Sequence, residues 1–479
     1  MQNRSLRARS IRAVLLAATL GLSGCASFSD DGGMTVVSEV AGKAIKKDVA
    51  FIRTADQAER ASGTVARLLS RSLTADLAVQ VALLNNKGLQ ASYNELALAE
   101  TDLVQDSLPP NPTFSISRIA GDGASEVERQ VVGDILGLTT LPFRSDIARD
   151  RFRAAQLKAA LATLKLAAEV RRAYFRSVAA NELVALLTDA KSTAEATAQL
   201  ATKLGETGSL NKLDQAREQV FYAETSADLA TARQAASSTR ERLARLMGVW
   251  GSDLGFRIPD TLPALPRRPQ SLPAIEIDAV THRLDLQIAR IELAALAKAQ
   301  NLTEATRFVT MLDVAGIDRK TRDPDVQPFR ERGLDVTFQI PIFDSGEVRV
   351  RQAVETYNLA FNRLTEKAVN VRSEARDAYR SYRSTYDIAN HYQREVLPLR
   401  RIITEEMQLR YSSMQVDVFA LLTEARQRLA SLRAAVDAKR AFWLAQSELQ
   451  AAVNGGANEG DGGSETTTTA SAQAGAGDH

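Results

Sequence analysis

Two long stretches of the chain carry almost nothing that breaks a helix. From Ser145 to Lys203 there is neither Pro nor Gly, and Ala recurs throughout; from Glu347 to Ser413 there is no Gly and one proline, Pro398. Both predict helices longer than a globular domain uses. At about 1.5 Å per residue the second extends about 100 Å. Shorter helical stretches run from Asp76 to Ser107, Ser209 to Gly248, Ala279 to Thr306 and Val416 to Val453. Two of these stacked end to end match one long helix. That suits a wall in which long rods alternate with stacked pairs, and Ala-rich faces let such rods approach closely.

Between the helices the period changes. Leu334, Val336, Phe338 and Ile340 alternate with Asp335, Thr337 and Gln339, a period of two that predicts a strand with one apolar and one polar face. Phe114 and Ile116 alternate with Thr113, Ser115 and Ser117 in the same way. Phe308 to Val314 predicts a third strand, and Val127 to Phe143 a fourth with weaker alternation. Polar loops at 120–126 and 318–332 join each pair, giving hairpins over 111–143 and 307–342. Pro142 and Pro341 stand at the ends of the second strands, where a proline redirects strand into helix. Strands of about 9–11 residues have the reach of tilted transmembrane strands. On that reading Leu334, Val336, Phe338 and Ile340 face lipid; the other reading is a soluble hairpin with its apolar face on a core. Four strands are too few to close a membrane barrel, so on the first reading further copies supply the rest.

The chain also repeats itself. Leu89–Leu103, "LQASYNELALAETDL", matches Leu286–Gln300, "LQIARIELAALAKAQ", at an offset of 197. Glu169, Arg171, Ala173 and Tyr174 match Glu374, Arg376, Ala378 and Tyr379 at an offset of 205, and Ala216-Arg217 matches Ala425-Arg426 at 209. Any one pair is within chance for Ala-rich helices; three in the same order describe a duplication. It divides the chain into a first repeat at 76–257, a proline-rich linker at 258–273, "IPDTLPALPRRPQSLP", and a second repeat at 274–454.

Composition narrows the function. Among 479 residues, 60 basic side chains face 58 acidic ones, a net charge of +2, with no concentrated basic stripe of the kind nucleic acid requires. No apolar run after Leu22 reaches about 18 residues, so any crossing of a membrane is by a closed barrel. The histidines are His282, His391 and His479, and no metalloprotease, nucleophile-elbow or phosphate-loop motif occurs. The carboxylates are mixed with Lys and Arg, as on solvated helix faces. This is not the pattern of an enzyme, and no cofactor or metal site is legible.

The single cysteine, Cys25, closes "LSGC" after a basic start (Arg4, Arg7, Arg9, Arg12) and a short apolar run, Ala13 to Leu22. This order of features resembles a bacterial lipobox, which implies a signal peptide at 1–24, acylation of Cys25, and a lipid-anchored segment at 25–75. Several acyl chains give stable anchoring. The alternative is a plain signal peptide that happens to contain a cysteine. Ala26 rather than Asp after the cysteine implies, by the same resemblance, the outer membrane. The segment 30–73 is poorly periodic and is expected to run from the anchor down the outside of the helices toward their middle. The stretch 455–479, "GGANEGDGGSETTTTASAQAGAGDH", is low in complexity and reads as disordered.

Together the lipobox, the duplicated helix–hairpin–helix order, "SLPPNPTFSIS", "LTTLPFRSD", "IPIFDSG" and the paired E-x-R-x-A-Y motifs resemble the TolC family of outer-membrane efflux channels, over about residues 76–454. With "MQVDVFALLTEAR" the similarity is greatest to the lipoprotein branch linked with tripartite drug and heavy-metal efflux. The resemblance implies a mainly α fold carrying a transmembrane β-hairpin pair. It implies a homotrimer in which three chains build a twelve-stranded barrel in outer-membrane lipid and a twelve-helix periplasmic tunnel. A periplasmic adaptor (a membrane fusion protein) and an inner-membrane pump would dock at the far end. It places the tunnel's tip turns at Leu204–Leu210, with Gly205 and Gly208, and at Arg410–Asp417, which has no glycine. Arg410, Tyr411 and Asp417 then become candidates for polar ties that close the tunnel; the plain alternative is a solvated hairpin tip. A second function class is a periplasmic coiled-coil structural or adaptor lipoprotein without a pore, which explains rods and anchor but not four amphipathic strands in two halves.

Overall fold

A computed structural model describes residues 27–121, 123–323 and 326–455. Cys25 with its leader, and the tail from 456 onward, lie outside the described residues.

The described residues begin with a short helix α1 (Met34–Val37), which passes through a π turn (Ser38–Gly42) into Lys43–Ile45, and continue to α2 (Ala55–Leu69). Two helices, α3 (Ala75–Asn85) and α4 (Lys87–Ser107), lead to the first hairpin, β1 (Thr113–Gly121) and β2 (Ala124–Asp134). Then comes α5 (Ile135–Glu206), 72 residues and about 110 Å long, which turns back into α6 (Lys212–Met247). The second half repeats the order: α7 (Ile275–His282), α8 (Leu284–Ala305), β3 (Leu312–Asp323), β4 (Val326–Phe338), α9 (Glu347–His391), a π turn (Tyr392–Val396), α10 (Leu397–Ser412) and α11 (Val418–Asn454).

The two halves match in detail. Asn86 breaks the α3–α4 rod in an extended conformation and Arg283 breaks α7–α8 likewise, at the sequence offset of 197. The E-x-R-x-A-Y motif has the same task twice. The Tyr174 hydroxyl donates to the Leu73 carbonyl (3.0 Å), and the Tyr379 hydroxyl accepts from the Leu272 amide (3.4 Å), so each tyrosine holds the chain just ahead of a short helix. Arg171 pairs with Asp76 and Arg376 with Glu276, in the first turns of those helices. Burial pushes the Tyr93 and Tyr174 phenols up to about 12, so both stay protonated.

Two main apolar cores form, the first mostly of first-half residues joined by Leu284 and Ile288 of the second half. The first gathers Leu83, Tyr93, Leu96, Val170, Val178, Leu243 and Met247; the second gathers Leu286, Tyr382, Tyr386 and Phe442. Phe175 of α5 stacks on Trp443 of α11, with ring centroids 5.0 Å apart, and ties the halves together. Ala154, Ala160, Ala167 and Ala173 line the buried side of α5, small enough for α4, α6, α8 and α11 to pack against the same rod. The N-terminal segment descends along the first rod. The Ser29 amide binds Glu100 (2.6 Å), the Ile52 amide binds Gln90 (2.9 Å), the Asp48 amide binds Gln80 (3.1 Å), and the segment reaches Arg257 through the Leu73 amide (2.8 Å). No helix among the described residues is long and apolar enough to cross a membrane.

The hairpins depart from the sequence expectation. The stretches expected as loops, 120–126 and 318–332, are largely strand, and β2 ends at Asp134 rather than near Phe143. Pro142 does not end a strand; it lies inside α5. The strand-to-helix turn is made by Asp134, whose carboxylate accepts from the Gly137 amide (2.7 Å). A Cβ at Gly137 would sit 2.2 Å from that carboxylate, so the cap needs a glycine. Thr139 and Thr140 donate their hydroxyls to the Ile135 and Leu136 carbonyls (3.0 and 2.8 Å), giving the first turn of α5, just ahead of Pro142, extra partners. In the second half Pro341 does lie between strand and helix, whereas Ile340 falls beyond β4 and is not a strand residue.

Candidate functional site

The four strands form one antiparallel sheet in the order β1-β2-β3-β4. The two hairpins, nearly 200 residues apart in sequence, are stitched by β2 against β3 from Ser125↔Arg322 to Asp134↔Asp313. The outer strands β1 and β4 are exposed along their whole length and, among the described residues, have no strand on their far side. An unpaired edge of this length is a template for another strand.

Register sorts the side chains onto two faces of opposite character. Near the helices one face carries Phe114, Val131, Val314, Leu334, Val336 and Phe338; toward the hairpin ends it carries Arg118, Arg129, Lys320, Arg322, Arg330 and Arg332. Among the described residues its one acid is Asp318, which Arg330 binds. The opposite face reverses the charge: among the described residues Glu126, Glu128, Asp134, Asp313, Glu331 and Asp335 stand with one base, Arg319, among Ser115, Ser117 and Thr337, with Ile119, Val132, Ile317 and Phe329 interspersed. Arg319 bridges Glu126 (2.8 Å) and Glu128 (2.6 Å). The expected lipid-facing residues Leu334, Val336 and Phe338 therefore share the apolar face and are exposed. Phe143, Phe308, Ile340, Ile342 and Phe343, in the segments beyond the strands, are exposed as well.

At the other end of the rods lie the two tip turns, built alike at an offset of 206. Gly208 holds the left-handed conformation at φ +73°, and the Ser209 amide reaches back to the Leu204 carbonyl (2.9 Å). Met414 takes the same position at φ +57°, and the Gln415 amide reaches the Arg410 carbonyl (2.8 Å). Asn211 and Asp417 then cap α6 and α11, each accepting from the amide three residues on at 2.8 Å. Gly205 lies in the last turn of α5, where a Cβ would stand 2.7 Å from the Gln215 side chain. The offset rises from 205 at the tyrosine motif to 206 here because the π turn Tyr392–Val396 adds one residue to the second rod. The sequence match at 209 is therefore out of structural register. Arg410 pairs with Glu406 within its own helix (2.9 Å), and Tyr411 is exposed, so the structure does not join Arg410 to Asp417 within one chain.

Sequence reasoning missed the polar network that buttresses the second rod. Arg283, almost fully buried, binds Asp285 (2.8 Å) and Glu374 (2.5 Å). Burial opposes the guanidinium charge, but bonds to both carboxylates outweigh it and hold its pKa above the ordinary value. The network lines an open cleft of about 760 Å³ between α8 and α9. Nearer the tips, buried Glu218 pairs with Arg426 (2.7 Å) and buried Glu424 with Arg400 (3.1 Å). Among the described residues no group of three His, Cys, Asp or Glu side chains could hold a metal ion.

No family model matches the sequence, and no curated protein matches it. Solved structures do match. The CmeC outer membrane channel of Campylobacter jejuni is 17% identical, with a TM-score of 0.67 over 80% of this chain and 86% of that one. The MtrE outer membrane channel of Neisseria gonorrhoeae, in its open state, is 17% identical, with a TM-score of 0.63 over 82% and 89%. CusC, described for its folding and transmembrane channel formation, is 18% identical, with a TM-score of 0.65 over 82% and 92%. At such identity the likeness concerns architecture, and it spans nearly all of each relative: the chain has the TolC-like outer-membrane channel fold, long helical rods carrying two β-hairpins.

Proposed function

We propose that the chain is the outer-membrane channel of a tripartite efflux system. The observation that carries this is the four-stranded sheet with two open edges, one face apolar beside the helices and basic beyond, the other carrying most of the acids, raised on rods about 110 Å long. Pairing β4 of one copy with β1 of the next closes both edges, and three copies give twelve strands, with the apolar face toward lipid and the acidic face toward a watery lumen. The rods then form a periplasmic tunnel whose tips meet an adaptor and an inner-membrane pump. The cargo is a small molecule or a metal ion passed on by the pump, and the channel itself needs no cofactor.

Cys25 is the lipid anchor on this reading. Ser29 is bound to Glu100, seven residues before α4 ends at the sheet. A chain of four residues spans up to about 14 Å, and seven helical residues rise about 10 Å, so acyl chains on Cys25 reach the bilayer that holds the sheet. Arg410, Tyr411 and Asp417 are the polar groups that close the tunnel at its tips.

The test is purification from outer membranes in detergent, followed by sizing and planar-bilayer recording. A trimer that conducts ions is expected; a monomer that never conducts would favour the pore-free coiled-coil lipoprotein. Cys25→Ser should abolish labelling by a radioactive fatty acid, and continued labelling would remove the anchor from the proposal. A deletion strain exposed to metals, antibiotics, detergents and dyes identifies the cargo class by the compounds to which it becomes sensitive.

A further inference from the structure

The outward face of the sheet is apolar along only part of its height. Membrane barrels usually bound their apolar band with aromatic residues on both sides. On this face the aromatic side chains of the strands are Phe114 and Phe338, both at the helix end, with exposed Phe143, Phe308 and Phe343 beyond the strands; Phe329, nearer the hairpin end, lies on the opposite face. The four strands contain no Tyr or Trp, and toward the hairpin ends the same face becomes a belt of Arg118, Arg129, Lys320, Arg322, Arg330 and Arg332. All six are exposed, and Asp318 answers only Arg330 by a direct bond.

This is not ordinary surface charge. The opposite face of the same strands carries the inverse balance, so the alternation of the pleat sorts basic side chains outward and acidic ones inward, residue by residue, as in Arg330-Glu331-Arg332 and Glu128-Arg129. Arg118 lies on one open edge strand and Arg330 on the other. Pairing of copies therefore brings their belts together and closes a ring of like charge, which repels itself unless anions lie between. Guanidinium groups bind phosphate through paired hydrogen bonds, and basic residues at a membrane surface attract anionic headgroups.

We infer that this belt is a binding site for the phosphate groups of anionic lipids in the leaflet at the hairpin end, with headgroups seated on Arg118, Arg129, Lys320, Arg322, Arg330 and Arg332 while their acyl chains cover the apolar band below. The inference rests on the outer-membrane channel reading.

The test compares the wild-type chain with Arg118→Gln/Lys320→Gln/Arg322→Gln, each reconstituted into vesicles of phosphatidylcholine with and without lipid A. Conductance in pure phosphatidylcholine is measured first, and lipid retained after detergent extraction is then counted by native mass spectrometry. Wild type should retain lipid A in preference to phosphatidylcholine, and the triple variant should lose that preference by about tenfold or more at unchanged conductance. Excess inorganic phosphate should displace little of the bound lipid; complete displacement would mean a free-anion site and overturn the lipid assignment. A wild-type channel that conducts but shows no preference would overturn the belt and leave the channel reading standing. A chain that inserts into neither vesicle would end both. If the triple variant does not assemble, Lys320→Gln alone should still reduce the preference, and an unchanged preference in that variant counts against the site.

Discussion

Met414 shows how one side chain substitutes for a missing glycine. The second tip turn has the same backbone bonds as the first, so residue 414 must adopt the left-handed conformation that Gly208 adopts freely. A methionine there is strained, and its side chain is almost wholly exposed, so packing does not repay the strain. Met414→Gly should therefore stabilise the tip by about 0.5–1 kcal/mol, read as slower amide hydrogen exchange through the last turn of α10 and the first of α11. Exchange no slower than in the wild type would show that the turn is not strained. Arg283 poses the opposite case, a buried charge that depends on its partners. Asp285→Ala should cost about 1.5–3 kcal/mol, because it removes the buried carboxylate and leaves the guanidinium only the partly exposed Glu374. Glu374→Ala should cost about 1 kcal/mol or less, since that carboxylate is 43% exposed and water can replace it. Chemical denaturation of both variants measures the difference, and equal losses would contradict a hierarchy set by burial.

At the scale of elements the helices were legible and the strands only half so. Absence of Pro and Gly marked α5 and the α9–α10 rod because helix length depends on breakers. The breaks at Asn86 and Arg283 were not marked, because a single extended residue leaves little trace in composition. The strands were recognised where apolar and polar residues alternate and missed where basic and acidic residues alternate. Thus 318–332, read as a polar loop, is mostly ladder, and the usable signal was alternation of sign, as in Arg330-Glu331-Arg332. Pro142 misled because proline predicts a strand end, whereas Asp134 had already begun the helix. Register also refines which strand residue to test. Phe338 is the last residue of β4 and lies beside the helices, while Val336 sits within the apolar band. Val336→Arg should cost about 2–4 kcal/mol of assembly, as expected near a bilayer midplane, whereas Thr337→Lys on the opposite face should be tolerated. Comparable trimer yields for the two variants would place the sheet outside lipid.

For the whole molecule the decisive geometry is distance: the sheet stands at one end of rods about 110 Å long and the tips at the other, so a change at one end leaves the other's packing untouched. On the channel reading, three copies of Arg410 and Asp417 converge at the tips, and removing one sign should unbalance the closed ring. The structure also gives both residues work within their own chain. Arg410 pairs with Glu406, an exposed helical pair worth about 0.3–0.5 kcal/mol, whereas Asp417 caps α11, and losing a cap costs about 1 kcal/mol. Asp417→Ala therefore mixes two effects, while Asp417→Asn keeps the cap and removes only the charge. Arg410→Ala and Asp417→Asn should leave the trimer intact, raise single-channel conductance and admit vancomycin to cells that normally exclude it. If Asp417→Ala leaks but Asp417→Asn does not, the cap and not the charge holds the tip closed. If none of the three changes conductance or leakage, closure does not depend on these residues, and Glu206 and Gln415, also in the tip segments, become the next positions to substitute.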